Sequence, residues 1–455
     1  MGDAGYLSVR ALTRAMTRKI GLLNHMGGGN LGDDATQDAV MQNLKRRWPG
    51  SVVLGFSMNP SDTETRHGIP SYPIRIETWS RHEGPTDSTG QAAQNPELTL
   101  KARLKSALGR YPRLFEFLKK ARARAAGGPL KLFQELSLLA RSFQIIRTLD
   151  VLVISGGGQL LDAWGGPWKF PYTVFKWTLL ARLACVRCYF LNVGAGPLDH
   201  RLGRWFIKRA LQLADYVSFR DENSKTLVTE IGFKGASHVF ADCVYSLDLP
   251  APHPNGAPSV REPVVGLSPM AYCDPRVYWQ KDPAVYEGFI HTLASFGSWL
   301  TQNNYRLALF STDIFFDAQT IAELEAALRD GSGCTQPGRI ERARIAEVEE
   351  LLAHMNSLDY VVTCRYHGVV FAHLLNKPVL ALSHHPKVST LMSDLGLAKY
   401  CLDIRKCDID LLQETFLSLV ASRDQVRSCM ADKLAGYRRD LSVQFDQLFP
   451  QEARA

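Results

Sequence analysis

A chain of 455 residues exceeds what one ordinary hydrophobic core supports, so two domains of comparable size are expected. With 45% hydrophobic and 22% charged residues, the composition is that of a folded globular protein and excludes wholesale disorder. The formal net charge of +8 favours an anionic partner (a phosphorylated small molecule, an acidic glycan or a membrane surface), and no nucleic-acid-binding motif accompanies it.

Residues 1–18 read as an N-terminal arm without the continuous apolar core of a secretory signal. A first domain spans 19–248. KIGLLNHM is a strand entering GGGNLGDD, ATQDAVMQNLKRRW is a helix, and SVVLGFSM is the next strand. Residues 80–98 are polar and loop-like, and a basic helical pattern fills about 99–147, broken by Gly-Gly-Pro at 127–129. TLDVLVISGGGQLLD is a buried strand ending in a second glycine triplet. FPYTVFKWTLLARLACVRCYFLNVGAG comes nearest to a membrane span, but Lys176, Arg182 and Arg187 interrupt it. Within it Cys185 and Cys188 form the lone C-x-x-C among nine cysteines, with no second pair to complete a zinc site, and packing is expected of both. ADYVSFRDENSKTLVTEIG reads as strand, turn and helix, with Asp221 or Ser224 as N-cap. HVFADCVYSL closes this half.

Residues 249–263 carry five prolines among small polar neighbours and read as a stiff linker. The second domain, 264–423, opens with VVGLSPM. Helices follow near 284–302 and 317–330 around the strand YRLALFSTD. LDYVVTCRYHGVVFAHLLNKPVLALSHHPKVSTLMSDLG then supplies strand, helix, strand, loop and helix. A last helix near 424–447, within the closing segment 424–455, is expected to pack back across the domains. The alternation predicts α/β architecture: two doubly wound, Rossmann-like domains facing across a cleft, with ligands at the carboxyl ends of the strands.

Several motifs sit at those strand ends. Gly27, Gly29 and Gly32 match G-x-G-x-x-G, but Ser57, Met58 and Asn59 end the second strand where a dinucleotide site wants an acid, and no Gly-Lys-Ser/Thr follows. The remaining reading is a backbone-amide concavity at a helix N-terminus beside Asn30, Asp33 and Asp34, against a tight turn whose aspartates cap the helix. Capping is preferred for Asp34. Gly156, Gly157 and Gly158 imply close approach by a ligand or a neighbouring loop. Gln159 and Asp162 are weaker candidates. Trp164 and Trp168 either stack on sugar rings or lie in the core.

Arg365, Tyr366 and His367 leave an apolar strand just where a helix begins. Arginine there can grip carboxylate or phosphate in bidentate fashion, and histidine is a titratable group beside helix amides. The alternatives are an interdomain ion pair and a helix cap. His373 should point elsewhere. His384, His385 and Lys387 end the following strand, and Lys387 suits an anion best. Arg220 ends a first-half strand and either reaches the same anion or pairs with Asp221 or Glu222.

At these residues the sequence resembles the polysaccharide pyruvyl transferase family, whose members share a glycosyltransferase-B-like fold. The resemblance runs through GGGNLGDD, VISGGG, NVGAGPL, SFRDENS, CRYHG and NKPVLALSHHPKVSTLMSDLGL, and covers most of the chain. The family's Arg-Leu-His appears as Arg365-Tyr366-His367, and the residues at about 80–145 are unusual for it. The resemblance implies transfer of a pyruvyl group from phosphoenolpyruvate to two hydroxyls of one sugar, giving a cyclic ketal and phosphate. It implies no metal, and no cofactor beyond phosphoenolpyruvate as co-substrate. Arg220, Arg365 and Lys387 would hold the donor's anionic groups, with His367 as general acid or base. Asp33 would serve as a fixed negative charge near an oxocarbenium-like transition state, and Asn30, Gly157, Gly158 and Tyr366 would contact substrate. The acceptor would be a glycan or lipid-linked sugar, the location cytoplasmic with peripheral contact at the inner face of a membrane. A nucleotide-sugar glycosyltransferase, with Asp313 or Asp317 on a ribose, and a non-catalytic glycan-binding or assembly protein are the competing readings.

Overall fold

The computed structural model describes residues 18–24, 27–78, 131–249, 261–331 and 338–451. The expected arm, the loop at 80–98, the basic pattern up to 130 and most of the linker lie outside the described residues.

In the first lobe, apolar runs alternate with helices in chain order. They are β1 (Lys19–Leu23), α1 (Leu31–Arg47), β2 (Val52–Ser57), α2 (Pro60–His67), β3 (Ser71–Pro73), α3 (131–146), β4 (Val151–Ser155) and α4 (Phe170–Leu183). After them come β5 (Arg187–Val193), α5 (Arg201–Leu213), β6 (Tyr216–Phe219), α6 (Glu222–Glu230) and β7 (His238–Val239). All seven strands are parallel, in the order β3-β2-β1-β4-β5-β6-β7. The second lobe repeats the plan with β8 (Val264–Ser268), α7 (Pro283–Gln302), β9 (Arg306–Leu309), α8 (Ala318–Gly331), β10 (Ile340–Arg342) and α9 (Val348–Ser357). It continues with β11 (Tyr360–Thr363), α10 (Tyr366–Leu374), β12 (Val379–Ser383), α11 (Pro386–Asp394) and β13 (Cys401–Asp403), and ends with α12 (Ile409–Ala421) and α13 (Arg423–Leu448). Its order is β10-β9-β8-β11-β12-β13, again all parallel. This is the glycosyltransferase-B-like arrangement.

A central parallel strand is covered on both faces, which is why VLVIS of β4 is buried at every position. The strand order reverses between β1 and β4 in one lobe and between β8 and β11 in the other. Chain leaving the sheets at those switch points carries residues 27–32 and 156–158 on one side and 364–367 on the other.

The two lobes are joined by more than the linker. Leu31, Ala35 and Ala39 of α1 bury in the core of the second lobe, together with Val244 and Tyr245 from the 3-10 turn Cys243–Ser246. The backbone also bridges the lobes: Leu31 N–H donates to Thr312 O at 2.9 Å, and Ile314 N–H donates to Gly29 O at 3.0 Å. α13 returns across both. Met430 and Leu441 sit in the second core, whereas Phe445 and the following Phe449 pack with Ile20, Leu22 and Leu191 of the first. Each buried phenyl contributes about 2–3 kcal/mol of apolar transfer, so the strap is a strong one. Of the C-x-x-C pair, Cys188 is buried in β5, but Cys185 is exposed at the turn before it.

Candidate active site

The first glycine motif is shaped by the opposite lobe. A Cβ on Gly29 would stand 2.3 Å from the ring of Phe315, and one on Gly32 would stand 1.9 Å from Nδ1 of His367. Gly27, at φ +91°, lies against Asn59. These glycines let α1 start directly beneath the second lobe, so the helix begins at Leu31 rather than after the motif.

This overturns the expected amide concavity. Gly32 N–H donates to Oδ1 of Asn30 at 3.1 Å, Asp33 and Asp34 N–H donate to Asn30 O, and Leu31 N–H is spent on Thr312. All four N-terminal donors of α1 are therefore taken. Asn30 is the N-cap and an interlobe bridge residue through its backbone pairing with Asp313, not a ligand-facing amide. Asp34 is no cap either. It is buried behind the helix start, 3.6 Å from His67 Nε2 and 3.9 Å from Arg66. Burial opposes the charge of His67, but Asp34 and Asp38 overcome it and push the imidazole up to about 9.

Asp33 faces the cleft. Its Oδ1 lies 3.0 Å from where a Cβ of Gly157 would be, so the second glycine of the triplet seats this carboxylate. Gly156 clears Thr36. Gly158, the half-exposed member, opens toward Nη2 of Arg220. Gln159 ties the turn down by donating to Asn24, Ser155 O and Gly156 O, and Asp162 accepts the N–H groups of Asp199 and His200, so both are scaffolding. Protein crowding, then the negative charges of Asp34, Asp242 and Asp313, outweigh the attraction of Arg220 and push the Asp33 carboxyl up to about 7. The expectation of a fixed negative charge is thereby corrected: near neutral pH this carboxyl is poised to hold or release a proton.

Arg220 leaves β6 beneath Gly194, whose missing side chain makes room for the guanidinium 2.6 Å from the Cβ position. It lies over the ring of Tyr366 at 4.4 Å. Its nearest acids are Asp221 at 3.6 Å and Asp242 at 3.8 Å, and its buried Nε has no hydrogen-bond partner. Asp221 instead caps α6 through Ser224 N–H at 2.7 Å. A buried guanidinium satisfied this poorly costs several kcal/mol unless an anion completes it. Tyr366, expected at the substrate, is a buried platform under Arg220.

Arg365 needs a larger correction. Its Nε donates to Oδ2 of Asp317 at 2.9 Å and its Nη2 to Oδ1 of the same carboxylate, with Asp313 3.4 Å away. Asp317 is a fully buried hub that also accepts from Ala271 N–H and Ser311 Oγ. The forked edge of Arg365 is therefore committed within its own lobe, and its charge, not a bidentate grip, is what it offers the cleft. Lys387 has no acidic partner among the described residues. Burial and the neighbouring Arg220 and Arg365 bring its ammonium down to about 8, against the opposing pull of Asp33.

His367, in the first turn of α10, receives these charges. Burial, then Arg220, Lys387 and Arg365, hold its imidazole far below its ordinary value, so it is neutral. Its Nε2 points at Oδ2 of Asp242 across 3.8 Å, and neither atom has a hydrogen-bond partner among the described residues. Asp242 was missed in the sequence because it follows a two-residue strand with no motif. Its only signal is an acid closing a first-half strand, and its other oxygen accepts from Val244 N–H at 3.1 Å. His384 and His385 are held neutral too, at about 2 and 4, first by burial and then by Lys387. His373 points away, bonding Met430 O at 2.8 Å.

The site thus gathers Arg220, Arg365 and Lys387 around a neutral His367, with a titratable Asp33 across the cleft. A family model for polysaccharide pyruvyl transferase matches residues 30–386. The chain belongs to the polysaccharide pyruvyl transferase family. It is accordingly a transferase, and the matched span runs from the cap of α1 to the first residue of α11, taking in every group just described except Lys387. No curated protein matches the sequence. Among solved structures, the UDP-GlcNAc 2-epimerase from Methanocaldococcus jannaschii is similar, with 10% identity, 88% of this chain and 92% of that chain covered, and a TM-score of 0.52. S. aureus MnaA with UDP gives 10%, 91%, 90% and 0.51, and Neisseria meningitidis UDP-GlcNAc 2-epimerase gives 9%, 94%, 99% and 0.50. Likeness at this level of identity reports the fold alone.

Proposed function

We propose that this pyruvyl transferase moves the pyruvyl group of phosphoenolpyruvate onto two hydroxyls of one sugar in a glycan or lipid-linked precursor, releasing phosphate and leaving a cyclic ketal. The observation that carries the reading is a pair of cations without a hydrogen-bonded acid, Arg220 with its nearest carboxylates 3.6 and 3.8 Å away and Lys387 with none among the described residues, set beside two proton-transfer groups driven apart in acidity. A donor with adjacent carboxylate and phosphate satisfies such a cluster.

Separated acidities assign the roles. Protonated Asp33 is the acid that delivers a proton to the donor's methylene carbon. Neutral His367 is the base that takes the proton of the attacking hydroxyl, and Asp242 stands 3.8 Å behind its Nε2 to stabilise the imidazolium. The first sugar oxygen bonds to the donor's central carbon, the carbon–oxygen bond to phosphate breaks, and the second sugar oxygen closes the ring. Of the two hydroxyl protons, one makes up for the proton now in the methyl group and the other leaves on phosphate, so the reaction balances without a further reactant. The nucleotide-sugar reading loses its ribose ligands, because Asp313 and Asp317 are engaged by Arg365.

Calorimetric titration and phosphate-release assays test this. Phosphoenolpyruvate should bind, and His367→Ala should abolish turnover while leaving binding largely intact. Affinity for a uridine or guanosine sugar with none for phosphoenolpyruvate would refute the proposal.

A further inference from the structure

On the first lobe, α4 and α5 lie side by side with their N-termini at the carboxyl edge of the sheet, the edge that forms the cleft. At that end four large apolar side chains are left in solvent: Trp168 (62% exposed), Trp205 (46%), Trp164 (44%) and Leu202 (38%). Trp168 and Trp205 adjoin through one buried ring, and Leu202 precedes Trp205 by three residues on α5, the spacing of a shared helix face. The ring of Phe206 lies 5.4 Å from Trp168 and 5.3 Å from Trp205, and Trp164 packs on Phe170 at the start of α4. The core does not require these indoles, since Phe206 and Phe170 already close it beneath them. α5 adds Arg201, Arg204, Lys208 and Arg209 and carries no acidic residue along its length. Arg209 lies over the Trp205 ring at 5.8 Å, and Arg204 is held at the patch edge by Leu198 O. Nearby acids are few: Glu77 pairs with Lys169, and Asp199 precedes the helix.

We propose that this face docks the protein on an anionic phospholipid surface. Indoles favour the boundary between headgroups and acyl chains, and arginines and lysines around them meet lipid phosphates. A second copy of this chain is disfavoured as occupant, because a two-fold contact would set one acid-free helix against another. Stacking on a sugar uses an indole face but has no use for Leu202 or the run of cations. The loop bearing Trp164 and Trp168 is the continuation of the Gly156–Gly158 turn, so the docked surface lies beside the cleft. This placement rests on the lipid-linked acceptor of the reading above. Vesicle binding itself is measured without donor or acceptor, so either idea can fail alone.

Wild-type protein should co-sediment with phosphatidylcholine vesicles containing about one-third phosphatidylglycerol, release at high salt, and shift its tryptophan emission to the blue. Arg201→Gln/Arg209→Gln should weaken partitioning about thirtyfold, and Leu202→Ser/Trp205→Ser should remove most of the emission shift while phosphate release with soluble acceptor is retained. No sedimentation of the wild type would overturn the proposal. So would equal partitioning onto pure phosphatidylcholine, sedimentation indifferent to both double variants, or a glycan that binds these tryptophans where vesicles do not.

Discussion

Two helices begin at the switch points of the two sheets, α1 after β1 and α10 after β11, and their first turns have opposite chemistry. α1 starts with its four amide donors consumed, two acids in its first turn and a histidine of the other lobe pressed on Gly32. α10 starts with no side-chain cap, and Arg220, Arg365 and Lys387 gather around its first-turn histidine. A glycine-rich turn before a helix invites the reading of a phosphate cradle, and here that turn does a different job. Its glycines let the lobes close, and the anion-seeking groups lie around the other helix. The difference teaches that the partner of a glycine, not its spacing, decides what it is for.

The largest effect that sharpens this contrast comes from the acid side. Asp33→Asn should cut kcat about a hundredfold to ten-thousandfold, the usual range for a lost proton donor. In the wild type kcat/KM should fall as pH rises through about 7, because the carboxyl must be protonated to act, and the variant should lack that limb. Raising a carboxyl's pKa on folding makes its ionised form a burden to the fold, so stability is lost as pH climbs from the ordinary carboxylate range through about 7. Urea unfolding at pH 8 should therefore show the variant more stable than the wild type. Full activity of the variant would place the proton donor elsewhere.

Gly32→Ala is the next largest. In an isolated helix this change stabilises by about 1 kcal/mol. With His367 1.9 Å from the new carbon, it should instead cost about 1–3 kcal/mol in urea unfolding and lower activity by displacing the imidazole. A stabilised, active variant would break the claim that this glycine serves lobe closure. The smallest effect is expected of Asn30→Ala: about 1 kcal/mol of lost stability from the missing cap, with KM for phosphoenolpyruvate unchanged. A raised KM would return Asn30 to the substrate.

Much of the fold was legible because it depends on local pattern. Apolar runs such as VLVIS and YVVT are long enough to name themselves as buried strands, and the chain order of strands and helices follows from them. The short edge strands β3, β7 and β10 were not, since two or three residues leave no period to read. The site was legible where a residue's position follows from topology alone: Arg220 directly follows a strand, and His367 and Lys387 lie in the first turns of helices that follow strands. It was illegible where a partner comes from far along the chain. The capture of Arg365 by Asp317, the seating of Asp33 against Gly157 and the pairing of His367 with Asp242 are all contacts between distant segments, and no spacing rule announces them. The acidity of Asp33 is likewise set first by burial and then by Asp34, Arg220, Asp242 and Asp313, three of which lie outside its own motif.

The central claim is that Arg220 and Lys387, the cleft cations without a hydrogen-bonded acid, bind a small acid carrying both carboxylate and phosphate. Titration calorimetry of phosphoenolpyruvate into the wild type and into Arg220→Met/Lys387→Met tests it most directly. The account predicts binding that weakens about a hundredfold or more in the double variant, with stability toward urea unchanged or raised because a costly buried charge has gone. Equal affinity in the two proteins, or weakened binding accompanied by a collapse of the fold, would contradict it.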